Sequence, residues 1–365
     1  MSVYPTEICV YGSANMPEAD GVTVGGAVDL TRLISFSDMA TNGLLDFVSS
    51  SGADTATKIQ VSGLDGSGIQ QTPAAATLNG TTKVAGTQTF GRLLYGATSG
   101  ATANGPLANP TGTAAVGDVA AMAHTLTITA HTCQAGSANH TGTTPPLIKL
   151  QSGDGASIAL GMVIRTTGGT GPSQLRVACS TSGTGAGQYG TDIIAVNRDW
   201  GTIPDATTTY EVATGMLFPI LPNPVTAVIR AFSGASSDIV GGSTHTYYEK
   251  GFVLNTDGTT ATTAATLIKQ TDPGGLYATS TVELDVAPCT ALNDTVTATN
   301  RQTAPGSGIG SFSAGAAPQT VTLAAQTSAS NTAAQAQGFW MRLAIGAGAA
   351  PQNTTFDLRP SATTA

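Results

Sequence analysis

Apolar and polar positions alternate with a period of two along much of this chain. Ile59 and Val61 alternate with Lys58, Gln60 and Ser62. Val282, Leu284 and Val286 alternate with Glu283 and Asp285, and Phe339, Met341, Leu343 and Ile345 with Trp340, Arg342 and Ala344. Successive side chains of a strand point to opposite faces, so this period predicts half-buried strands. Shorter runs predict further strands around Ile8–Tyr11, over 123–133, Leu147–Leu150, Ile158–Arg165, Leu175–Ala178, Thr191–Val196, Thr209–Val212 and Tyr248–Leu254, and at Val225–Ile229, Val321–Leu323 and Phe356–Leu358.

Asp65-Gly66, Asn79-Gly80 and Asp257-Gly258 punctuate these runs. Such pairs favour tight turns, because glycine accepts a positive φ. One helical turn is predicted near Asp38–Asp46. Residues 96–120 read as a long loop, and LFPILPNP at 217–224 as a connector between domains. The pattern predicts an all-β chain of two β-sandwich or Ig-like domains with long loops. The predicted divisions are an extended N-terminal assembly segment over 1–56, a β-rich middle domain over 57–224 and a C-terminal β-sandwich over 225–365. The segments 47–68 and 232–258 echo each other in order of features, as a duplicated β-domain would.

Composition adds a second constraint. The chain of 365 residues is 41% hydrophobic, yet only 10% is charged. A disordered chain combines low hydrophobicity with high charge, so this one has the material for cores. It spends little on a charged surface, which suits a protein covered by copies of itself or by partners. A net charge of −8 argues against a phosphate-binding surface, and the 14 Lys and Arg are scattered singly, so no direct nucleic-acid contact is expected. No stretch approaches the roughly 18 apolar residues of a membrane helix. The N-terminus has neither a basic region nor an apolar core of a secretory signal, so synthesis in a cytoplasm is expected.

Candidate chemistry is sparse. His124, His131, Cys133 and His140 lie close in sequence, but strand parity puts His124 opposite His131 and Cys133, so no metal site is expected. Cys9, Cys133, Cys179 and Cys289 form no CxxC pair and read as reduced, mostly buried thiols. Gly185, Gly187 and Gly190 match GxGxxG, but no helix pattern follows, so no cofactor is expected. Glu283 and Asp285 share a strand face that reads as solvated. No catalytic residues emerge, and the chain reads as non-enzymatic. Trp340, beside Arg342, lies opposite Phe339 and Met341, and the pair reads equally as an outward interface anchor or as core packing between two sheets. With Tyr4, Tyr11 and Trp200 they are the candidate interface residues, since aromatic and Arg side chains anchor protein contacts.

Several segments carry a resemblance. ICVYGSANMPEADGVTVGGAVDL at 8–30, YYEKGFVLNTDGT at 247–259, NRQTAPGSG at 300–308 and GFWMRLAIGAGAAPQNTTFDLRP at 338–360 resemble structural proteins of tailed-bacteriophage virions. The stretch 58–94 is similar to a β-module of phage head and tail proteins. The resemblance implies a virion component whose partners are its own copies and the major capsid or other virion proteins. The chain has no coiled coil, no collagen-like stretch and no long charged helix, unlike fibre and major capsid proteins. That tilts the implied place toward head decoration or cement, with a neck or tail surface protein, or a module binding a host-surface glycan, as the alternative.

Overall fold

The structure, a computed structural model, describes residues 7–17, 20–101, 109–141, 144–180, 189–221, 223–232, 244–271, 282–312, 319–326, 332–346 and 356–364. It is all-β; no α-helix occurs among the described residues. The first strands are β1 (Ile8–Asn15), β2 (Val24–Leu33), β3 (Leu45–Ser49), β4 (Lys58–Leu64), β5 (Ala74–Thr77), β6 (Val84–Ala85), β7 (Arg92–Thr98) and β8 (Val119–Ala123). Next come β9 (Ile128–Thr132), β10 (Leu147–Lys149), β11 (Val163–Gly168), β12 (Leu175–Val177), β13 (Ile193–Ala195), β14 (Thr209–Ala213) and β15 (Gly215–Phe218). The last are β16 (Ala227–Ile229), β17 (His245–Asn255), β18 (Thr262–Thr271), β19 (Val282–Leu292), β20 (Thr297–Ala298), β21 (Gln319–Thr322), β22 (Gln337–Ile345) and β23 (Asp357–Thr364).

A main sheet runs in the order β19-β22-β17-β1-β2-β16-β7-β4-β5, with β20 paired to β2. Its neighbours are antiparallel except β2 and β16. The sheet draws strands from all three sequence divisions. The segment read as an extended arm supplies two of its inner strands instead: β1 pairs with β17 through Ile8↔Asn255 to Gly12↔Gly251, and with β2 on its other side. Apolar side chains on both faces of β1 explain this. Cys9 and Tyr11 pack into one core, Ile8 and Val10 into another.

The sheet β15-β8-β3-β6 covers one face of the main sheet. Phe47, Val119, Ala121 and Phe218 meet Ile59, Val61, Leu93 and Val228 there. The other face of the same sheet, through Val48, Ala120, Met122 and Leu217, meets Val163, Leu175 and Ala213. It is therefore a middle layer, buried on both faces. This corrects the reading of LFPI as a connector, because Leu217 and Phe218 end a fully buried strand that pairs with β8.

Residues between β8 and β15 form an insertion in this hairpin, with sheets β12-β11-β14-β9 and β10-β13 around a separate core of Ile148, Ile164, Ile194, Trp200 and Tyr210. The third sheet, β21-β18-β23, covers the opposite face of the main sheet through Leu267 and Val321.

Other local readings shift. No helix forms over 38–46; that stretch leads into β3. Residues 123–133 are the end of β8 and then β9, separated by a turn. The predicted loop 96–120 shortens, because β7 and β8 reach into it, and residues 102–108 lie outside the described residues.

Candidate functional site

The predicted interface residues mostly turn inward. Tyr4 lies outside the described residues. Tyr11 is 2% exposed, Trp200 3% and Trp340 0%, so none of the three is a surface anchor. Trp200 lies under the Arg176 guanidinium, 4.9 Å from its ring centre, and donates its Nε1 hydrogen to the Leu147 carbonyl at 3.0 Å. Trp340 does face away from Phe339, as its parity requires, but that face is covered. The segment around 293–312 lies over it, with Val24, Cys289, Ala298 and Phe312 in one cluster. Arg342 keeps a partly exposed side chain, paired with Asp285 and 5.0 Å from the Phe312 ring. Asp285 is buried by this pairing, which corrects the reading of a solvated face for that residue; Glu283 is exposed.

The covered face holds a dense set of polar and ring contacts. Lys250 is fully buried. Its Nζ donates to Asp294 Oδ1 at 2.6 Å, to the Asp294 carbonyl at 2.7 Å and to the Val296 carbonyl at 3.1 Å. The rings of Phe252 and Trp340 lie 5.1 and 5.7 Å from the ammonium. One residue earlier, Glu249 points to the other face. It accepts from Arg301 at 2.5 Å and from the Phe232 amide at 2.6 Å. Arg301 also approaches Asp20 at 3.9 Å, and its carbonyl accepts from the Tyr248 amide at 2.6 Å. Gly25, at φ +96°, lies against Trp340; a Cβ there would stand 2.7 Å from the ring, so only glycine fits.

Four sequence segments far apart in the chain thus meet. Asp20 and Gly25 come from 8–30, Glu249 and Lys250 from 247–259, Arg301 from 300–308, and Trp340 from 338–360. Sequence reasoning did not single out Glu249, Lys250, Asp294 or Arg301. The available signal was YYEKGFVL, where two charges interrupt an apolar run instead of alternating with it. A buried charge needs a partner, so such an interruption marks buried pairs.

The histidines lie apart, each beside its own carboxylate, although His124 sits between β8 and β9, where strand parity does not extend. His124 Nδ1 meets Asp46 at 2.9 Å, His131 Nδ1 meets Asp154 at 2.7 Å, and His140 meets Glu7 at 3.3 Å. The Tyr210 hydroxyl also donates to Asp154. Burial pushes the Cys9 thiol up to about 11 and those of Cys133, Cys179 and Cys289 up to about 12. All four are protonated near neutral pH, and a protonated thiol is a poor nucleophile and metal ligand. Among the described residues no three His, Cys, Asp or Glu side chains come together as a metal site. Gly185 and Gly187 lie outside the described residues.

A cleft of about 340 Å³ opens on the main sheet between Val10, Phe36, Ile229, Met341 and Phe356. Its rim carries Asp38, Arg92 and Arg230. Asp38 is bound to the Arg230 guanidinium and accepts from the Leu93 amide at 2.9 Å, so it serves as a structural clamp. Burial, with Arg230 close by, lowers Arg92 to about 10, which leaves it charged at neutral pH.

No family model, curated protein or solved structure matches this chain.

Proposed function

We propose that this chain is a non-enzymatic structural component of a tailed-bacteriophage virion, located on the particle, where it decorates or cements the shell through repeated contacts with its own copies and with capsid proteins. The observation that carries the reading is that the virion-like segments meet in two linked sets of buried contacts on the two faces of β17, Asp20–Arg301–Glu249 on one and Gly25–Trp340–Lys250 on the other. Four stretches chosen for resemblance alone share hydrogen bonds, ion pairs and a ring contact, as parts of one module do.

The disposition of charge supports the same reading. Arg176 and Arg198 converge on Asp118, Lys83 and Arg165 on Glu211, and Lys250, Arg301 and Arg342 on Asp294, Glu249 and Asp285. A chain with few charges has placed many of them in pairs that tie its own layers together. Among the described residues the exposed positions are mostly Thr, Ser, Gly and Ala, with few charges such as Lys58, Asp205 and Glu283. Neutral surfaces associate more readily than charged ones. Repeated weak contacts across many copies add up to firm attachment.

The test is re-addition. Purified chain is mixed with particles assembled without it, and bound protein is measured after sedimentation. Saturable binding, with increased resistance of the particles to heat, is expected. Absence of binding to such particles overturns the proposal.

A further inference from the structure

The two edges of the main sheet are finished differently. At β19 the chain closes its own edge. Cys289 bridges Ile309, Gly310 donates to the Pro288 carbonyl at 2.8 Å, and Thr290 donates to the Gly308 carbonyl at 2.9 Å. At the far edge, β5 pairs with β4 through Lys58↔Thr77, Ile59↔Ala76, Gln60↔Ala75 and Val61↔Ala74. Its other side meets no strand among the described residues.

The ladder shows which groups point outward. The Leu78 amide donates to the Thr57 carbonyl at 2.9 Å, so this is a hydrogen-bonded pair. Such pairs alternate along an antiparallel ladder. The backbone groups of Ala76 and Ala74 therefore point to β4, and those of Ala75 and Thr77 point away from it. The other side of β4 agrees, because the Ser99 amide donates to the Lys58 carbonyl at 2.9 Å. Ala75 and Thr77 are both exposed. Pro73, which has no amide hydrogen, ends the open stretch on one side.

We propose that β5 is a pairing edge for a second copy of this chain, joined antiparallel across a twofold axis at Ala76. The register Ala75↔Thr77 in both directions matches every outward amide with a carbonyl of the other copy. Ala76 then faces its own counterpart, where its methyl group leaves room for close approach. Charge favours the chain's own copy. A twofold contact brings each residue near its own image, so any charge on the edge would face a like charge. From Ile69 through Thr82 the sequence holds no charged residue. Natural edges are often blunted by charge, and Ala74–Thr77 carries none.

The pairing is independent of the virion reading, since it concerns two copies in solution. Sedimentation velocity of the full chain over a range of concentrations tests it. A reversible dimer is expected, with slowed hydrogen exchange at the Ala75 and Thr77 amides as dimer fills. Ala75→Pro deletes one outward donor and leaves the bonds to β4 intact, and Thr77→Lys places like charges beside each other. Each weakens the dimer by about tenfold or more, with an unchanged melting temperature at concentrations where the original chain is monomeric. Thr290→Lys, at the closed edge, leaves the dimer as it was. A monomer at every concentration overturns the proposal, and so does a dimer indifferent to both edge variants.

Discussion

The middle layer and the C-terminal part of the main sheet are both interiors, but they are built from different materials. β3, β8 and β15 are buried along their whole length, and Asp46 is their one ionisable side chain. Regular sheets lie on both sides. β17 is nearly as buried, yet holds Glu249 and Lys250. The difference lies in what covers them. A sheet satisfies its own carbonyls through its ladder. The segment 293–312 is mostly irregular, and its buried carbonyls need donors. Lys250 donates to the Asp294 carbonyl, and at the Val296 carbonyl it adds to the Gly26 amide. At Lys250 a buried charge holds irregular backbone, whereas the strands of the middle layer meet their neighbours mostly through apolar side chains; buried charges also sit on regular strands elsewhere, as Lys269 on β18 does where it donates to the Leu284 carbonyl.

The sharpest way to break this contrast is Arg301→Ala. It leaves Glu249 buried beside an empty space and is expected to cost about 3–5 kcal/mol in urea unfolding. Replacing both partners, as Glu249→Leu with Arg301→Met, recovers most of that loss, because no uncompensated charge remains. An unchanged midpoint for Arg301→Ala alone contradicts the pairing.

Thiol reactivity compares Cys9 in the core beneath the middle layer with Cys289 beside Lys250. Burial raises both, Cys9 to about 11 and Cys289 to about 12, so the neighbouring ammonium does not activate Cys289. Native protein at mildly alkaline pH should be alkylated at least about 100-fold more slowly than unfolded protein. The sign for stability follows. A thiol raised from 9.0 to about 11 favours the fold fully below pH 9 and loses that contribution as pH climbs through 11. Alkylation at equal rates before and after unfolding contradicts burial.

Ala121→Leu tests the tightness of the middle layer. Ala121 is fully buried, and its carbonyl lies 2.0 Å from where a Cβ on Gly215 would stand. Overpacking is expected to cost about 1–3 kcal/mol in thermal unfolding. The smallest effect belongs to Arg342→Ala. Its side chain is 32% exposed, so water replaces part of what the pair supplied, and a loss of about 1 kcal/mol is expected. A larger loss there than at Arg301 reverses the contrast.

Strands with one apolar face were legible in the sequence. Ile59 and Val61, the 282–286 run and the 339–345 run all fall in strands. Strands buried on both faces were not, because they lose the alternation that marks a strand. Val119 and Ala120 therefore read as the end of a loop, and Leu217 and Phe218 as the start of a connector. Parity correctly put Trp340 opposite Phe339, but parity reports only which face a residue occupies. Whether a distant segment covers that face depends on long-range packing. The same holds for Glu249 and Arg301, which are 52 positions apart and meet within the fold.

The most direct measurement is the copy number of this chain in purified virions, by quantitative mass spectrometry with electron microscopy of the same particles. The account predicts a fixed, high copy number with density on the outer shell. Absence of the chain from purified particles contradicts it.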